Sequence, residues 1–222
     1  MPDLLCKICG LTRAGDADLC HSLGADFLGF IFVPASPRYV TPEAVAAIPD
    51  GPARRTGVFA GSGLDLVRDV ARRARLDFLQ MHGGEDPDFC RALGPDRVIK
   101  TLWPEVLAPG ELEREMERFA PACAYFLLDA GGKGGGSGRP QDPGILRGLC
   151  SPRPWLLAGG LGTENLLPAL AGLAPGSPDG VDMNSALEIR PGLKDPELVR
   201  RAIRLVKTRS GRKTGRILEK TP

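Results

Sequence analysis

Lys7 and Cys9 stand two residues apart in Leu4-Leu-Cys-Lys-Ile-Cys-Gly10. On an extended strand that spacing puts both on one face, with Cys6 and Ile8 on the other. An ammonium beside a thiol favours the thiolate, which would let Cys9 act as a base or nucleophile near neutral pH. The alternative is a packed, inert cysteine. Cys6 and Cys9 also spell CxxC, but residues three apart on a strand point to opposite faces. They could not chelate one metal without breaking the strand, so no metal site is expected. Asp129 closes the apolar run Phe126-Leu-Leu. A buried carboxylate is costly unless paired, and burial raises its pKa toward the general-acid range. A helix cap or a salt bridge is the competing role.

Other residues suit binding. Arg38, in Ser36-Pro-Arg38, is placed in a loop where a guanidinium can hold a carboxylate or phosphate bidentately, or simply be solvated. His82 follows Gln80 by two in Gln80-Met-His-Gly83, so the pair shares a face opposite Leu79 and Met81. Gly131–Gly138 fits neither common phosphate-loop pattern and reads as a long loop or flap over a site. Leu157-Ala-Gly-Gly160-Leu and Val181-Asp-Met-Asn-Ser185-Ala end two further apolar runs. Glycines and small polar residues there supply backbone N–H groups suited to phosphate.

These side chains need a scaffold that gathers strand ends. Eight short apolar runs supply candidate strands: Leu4–Cys9, Phe27–Phe32, Arg55–Phe59, Phe78–His82, Val98–Leu102, Tyr125–Asp129, Trp155–Ala158 and Gly180–Met183. Between them lie segments of helical spacing. Leu64, Val67 and Ala71 recur within 63–75; Leu112, Met116 and Phe119 recur within 110–120. Thr41-Pro42-Glu43 and Asp195-Pro196-Glu197 are helix starts, the latter opening a last helix over 195–207. Strict alternation of eight strands, each followed by a helix, predicts a single-domain (β/α)8 TIM barrel over residues 1–207. An open doubly wound sheet is the rival, but Cys9-Gly-Leu-Thr-Arg13 is not its Gly-rich first turn.

Composition narrows the function class. The formal charge of +2 hides a basic tail, 208–222, where Arg209, Arg212, Lys213, Arg216 and Lys220 outnumber Glu219 by four. The rest of the chain is −2, so nucleic acid is not an expected partner. The tail lacks apolar periodicity and is expected to be flexible. The longest apolar stretch, Phe27–Val33, falls far short of the roughly 20 residues that span a bilayer. With no basic-then-apolar start either, a cytoplasmic protein without membrane contact is expected.

The ordered set of motifs resembles the phosphoribosylanthranilate isomerase family of tryptophan biosynthesis. It comprises Lys7–Arg13, Gly24-Ala-Asp26 with Gly29–Phe32, Ser36–Arg38, Gly57-Val-Phe59, Gln80–Gly83, Leu127–Asp129, Gly135–Gly138, Leu157–Leu161, Val181-Asp182 and Pro191–Asp195. The resemblance implies a cofactor-free Amadori rearrangement of a small phosphorylated substrate by a monomer or homodimer. It implies Cys9 as base and Asp129 as acid. Arg38 is implied as a contact to the anthranilate carboxylate, His82 as a supporting contact, and Gly160 and Ser185 as the phosphate region.

Three features depart from the family pattern. Gly135-Gly-Ser-Gly138 lacks the usual aromatic pair after it, Ala186 stands where a glycine is usual, and the basic tail is extra. Two other functions compete. One is the histidine-pathway isomerase of the same scaffold, expected to use paired aspartates at strands one and six. The other is a phosphate-binding barrel without catalysis.

Overall fold

In the computed structural model, residues 4–108, 110–129, 146–173 and 177–212 are described, the last four by backbone alone. Eight parallel strands close into a barrel in sequence order: β1 (Leu5–Ile8), β2 (Phe27–Ile31), β3 (Arg54–Phe59), β4 (Phe78–Met81), β5 (Val98–Leu102), β6 (Tyr125–Asp129), β7 (Trp155–Ala158) and β8 (Gly180–Met183). Closure comes where β1 pairs with β8, setting Lys7 beside Asp182. The expected strands match to within a residue or so at each end. Apolar runs bounded by turn residues are a strong signal when both faces of a strand are buried.

Helices cover the barrel: α1 (Ala14–Ser22), α2 (Pro42–Ala46), α3 (Leu64–Arg73), α4 (Pro87–Leu93), α5 (Glu111–Phe119), α6 (Leu166–Gly172) and α7 (Pro196–Arg212). Thr41 caps α2 by accepting the Ala44 N–H, and Asp86 caps α4 by accepting that of Phe89. α3 buries Val67, Val70 and Ala71 and turns its charges to solvent. Among the described residues, no helix is long and apolar enough to cross a membrane.

Three expectations change. The described part of the β6–β7 connection, 146–154, contains no α-helix. α7 runs to Arg212, past the expected end at 207, because Leu198, Ala202 and Val206 continue a helical period with no breaker before Gly211. A small antiparallel hairpin, β9 (Glu188–Arg190) and β10 (Leu193–Lys194), follows β8 and was not expected. Its strands are too short and too polar to read from periodicity. The Gly131–Gly138 segment and residues 213–222 lie outside the described residues.

The barrel is filled from below. Phe27, Phe78 and Tyr125 pack edge to face, with ring centres 5.4 and 5.8 Å apart. Gly180 takes the corresponding place on β8, where a Cβ would meet that of Leu5 at 2.7 Å. Each buried phenylalanine contributes roughly 1.5–3 kcal/mol. Asp26, Asp77 and Asp179 precede β2, β4 and β8. Each accepts a backbone N–H from the preceding odd strand: Cys6 at 2.7 Å, Arg55 at 2.7 Å and Trp155 at 2.9 Å. This apolar floor and its carboxylate clamps leave the other end of the barrel to polar residues.

Candidate active site

β1 sends Lys7 and Cys9 inward, while Cys6 and Ile8 join the core under the helices. Cys9 is only 5% exposed. It fits because β2 carries Gly29 opposite: a Cβ there would lie 2.6 Å from Cys9 Sγ and 2.9 Å from its Cα. The Lys7 ammonium is fully buried and lies 2.9 Å from Asp182 Oδ1. Burial disfavours its charge, but the Asp182 carboxylate and Cys9 more than offset this and hold it above its ordinary pKa.

Lys7 acts on Cys9 in the expected direction, but burial outweighs it. Burial pushes the Cys9 thiol up, and Lys7 pulls it only part of the way back because Asp182 opposes it. The net effect holds the Cys9 pKa above its ordinary value. Cys6, on the outer face as its spacing predicts, is a core cysteine whose thiol is pushed far up by burial.

Asp129 ends β6 on the inward face, 7% exposed, while Phe126 and Leu128 join the outer core. His82 Nε2 lies 3.8 Å from Asp129 Oδ2. The other ring nitrogen, Nδ1, is 3.2 Å from both Gln80 Nε2 and Thr101 Oγ1. Trp103 meets the imidazole edge-on at 5.2 Å. Burial holds the His82 pKa below its ordinary value although Asp129 pulls it up. A neutral imidazole beside Asp129 can therefore donate or accept without competing for charge.

Arg38 is not a solvated loop charge. Its Nε is 3.0 Å from both oxygens of Glu188, and its Nη2 is 2.7 Å from Glu188 Oε2. Glu188 begins β9 and also accepts from Lys194 Nζ at 3.0 Å and from the Gly192 N–H at 3.2 Å. Burial opposes the Glu188 charge, but Arg38 and Lys194 hold it below the usual carboxylate range. Lys194 itself is pushed down by burial.

The rim after β7 and β8 carries the remaining expected residues. Gly159 and Gly160 both adopt positive φ, 105° and 63°, which favours glycine. The Asn165 side chain fixes this turn, donating to Gly160 O at 2.9 Å and accepting from Gly162 N at 2.7 Å. Ser185 opens a one-turn 3-10 segment, Ser185–Leu187. The Ala186 methyl lies where a Cβ on Gly162 would come within 2.7 Å. A glycine at 162 thus accommodates the alanine at 186.

Sequence reasoning assigned no role to Asp182, Glu188 or Lys194. Asp182 was detectable as the inward residue of its strand. Glu188 and Lys194 are six apart on a hairpin with no clear period, and only folding brings them together.

A (β/α)8 barrel with a thiol, a carboxylate and an imidazole at its C-terminal mouth defines the class: a barrel equipped for acid–base chemistry on a small molecule. The family described as N-(5'-phosphoribosyl)anthranilate (PRA) isomerase matches residues 6–204. An N-(5'-phosphoribosyl)anthranilate isomerase of Maridesulfovibrio salexigens is 44% identical over 86% of this chain and 93% of its own. The crystal structure of phosphoribosyl anthranilate isomerase from Thermus thermophilus superposes with a TM-score of 0.78 at 35% identity, covering 90% and 96% of the two chains. Another such crystal structure, in complex with reduced 1-(o-carboxyphenylamino)-1-deoxyribulose 5-phosphate, gives 0.73 at 29% identity, covering 92% and 99%. The chain belongs to the phosphoribosylanthranilate isomerase family.

Proposed function

We propose that Cys9 and Asp129 are the base and acid of the family's reaction in this chain. The chain is an aldose–ketose isomerase of tryptophan biosynthesis. It converts N-(5'-phosphoribosyl)anthranilate to 1-(2-carboxyphenylamino)-1-deoxyribulose 5-phosphate. Asp129 protonates the furanose ring oxygen, and the C1'–O bond breaks to give an iminium. Cys9, as the thiolate, then removes the proton from C2', leaving an enolamine that tautomerises to the ketone. Each step moves a proton and none changes the overall oxidation level, so the chemistry requires no redox cofactor.

The observation that carries this reading is the burial of Cys9 and Asp129 on inward faces at the ends of β1 and β6. Burial raises the Cys9 pKa, and the Lys7 and Lys194 ammoniums lower it, so these charges favour the thiolate that the step uses. Arg38 takes the anthranilate carboxylate and His82 orients the substrate beside Asp129. Backbone amides around Gly160 and Ser185 take the phosphate. The catalytic unit is the barrel closed by α7, acting in the cytoplasm, and deletion of 209–222 should leave turnover unchanged.

Anthranilate-type fluorescence will fall as purified protein consumes the substrate. Cys9→Ala and Asp129→Asn should each cut kcat by a factor on the order of 10²–10⁴. Full activity in both variants overturns the mechanism. An inactive parent protein would favour a binding barrel instead.

A further inference from the structure

We infer that Glu188 and Lys194 are positioning residues that make Arg38 a receptor for a single aryl carboxylate. The inference rests on the reading of Arg38 given above and adds what selects its ligand. A guanidinium has two edges that can meet a carboxylate bidentately: Nε with Nη2, and Nη1 with Nη2. Glu188 occupies the first edge with contacts of 3.0, 3.0 and 2.7 Å. Among the described residues none hydrogen-bonds Nη1, so the end-on edge is left for a ligand. Clamping one edge fixes the plane in which the other is presented, which lowers the ordering cost of binding.

The clamp creates an electrostatic problem that Lys194 solves. Arg38 and Glu188 alone sum to zero, and a neutral pair offers an incoming anion little net attraction. Lys194, with its side chain fully buried, sits 3.0 Å from Glu188 Oε1. The three groups then carry +1, and one ligand carboxylate neutralises them. Buried charge of this kind is costly unless compensated, so an uncharged aryl group leaves the cluster unbalanced.

Lys194 also joins this cluster to the loop that takes the phosphate. Its Nζ donates to both the backbone O and the side-chain Oδ1 of Asn184, each at 3.0 Å. Asn184 directly precedes Ser185. The convergence depends on Gly10, at φ 73°: a Cβ there would meet Arg38 Cδ at 2.8 Å and would also strike the Asn184 side chain. One lysine thus holds the parts of the site that receive the two ends of the substrate in fixed relation.

The test compares two competitive inhibitors, reduced 1-(o-carboxyphenylamino)-1-deoxyribulose 5-phosphate and its counterpart lacking the carboxylate. Each is measured against the parent protein, Lys194→Met, and Lys194→Met combined with Glu188→Gln. The parent should favour the carboxylated inhibitor. Lys194→Met should cut that preference about tenfold or more, as loss of one charged partner predicts. In the same variant KM should rise; because the Lys194 charge also lowers the Cys9 pKa, kcat is compared on the high-pH plateau, where it should change about threefold or less. Adding Glu188→Gln restores the net charge of +1 and should recover much of the preference, which a merely structural role would not do. Lys194→Arg should keep it. If Lys194→Met does not fold, Lys194→Gln carries the same comparison.

An unchanged preference in the lysine variants, or a double variant no better than the single, overturns the proposal while parent turnover stands. Arg38→Met that keeps the preference would instead overturn the underlying reading of Arg38.

Discussion

Lys7 Nζ and Asp182 Oδ1 form a 2.9 Å ion pair at the seam where β1 meets β8, and the same ammonium acts on the Cys9 sulfur. The pair is an electrostatic control on the proposed base. Lys7 lowers the Cys9 pKa and Asp182 raises it, while burial raises it most. Because the base must be a thiolate, the rising limb of the pH–rate profile should follow this balance. Asp182→Asn should move that limb to lower pH, and Lys7→Met should move it higher. Shifts in the same direction would show that the limb belongs to another group. Lys7→Met also leaves Asp182 unpaired, at a cost of about 3–5 kcal/mol in denaturant melts.

Gly29→Ala tests how tightly Cys9 is seated. The new methyl would stand 2.6 Å from Sγ, and the backbone of β1 blocks its retreat. Overpacking of this kind costs roughly 1–3 kcal/mol. The added effect expected here is a fall in kcat larger than the rise in KM, read by steady-state kinetics on folded protein.

Gly162 and Ala186 should be coupled. Gly162→Ala brings two methyl carbons to 2.7 Å and should displace the rim that takes the phosphate, raising KM. Ala186→Gly should be mild alone and should rescue Gly162→Ala. A double-mutant cycle measures the coupling, and strict additivity of the two changes would show that the contact is slack.

His82 and His21 both have pKa values depressed by burial. The sign follows from proton binding. Below about pH 6.5 the unfolded chain takes up protons that the folded imidazoles refuse, so stability falls with pH. It stops falling once pH drops below the depressed native values. Urea midpoints from pH 7.5 to 5 should therefore decline. The decline should be shallower in His82→Gln.

Much of the barrel was legible along the chain. The runs at Val98–Leu102, Tyr125–Asp129, Trp155–Ala158 and Gly180–Met183 match β5 to β8 end to end. A strand buried on both faces writes itself as a short apolar block, and two-residue spacing told which side chains point inward. That spacing put Lys7 with Cys9 and Gln80 with His82 on shared faces, as the barrel has them. It missed β9 and β10, whose residues Glu188-Ile-Arg and Leu-Lys194 carry no block to read.

The sequence by itself determined which residues stand at strand ends, and so which side chains the mouth of a closed barrel collects. Local backbone geometry is enough for that, because alternation along a strand is a property of neighbouring residues. Tertiary structure alone decided the electrostatics. Lys7 and Asp182 are 175 residues apart in the chain, and Arg38 and Glu188 are 150 apart. A charge acts through space over a few ångströms, so whether Lys7 activates Cys9 or is claimed by Asp182 depends on barrel closure.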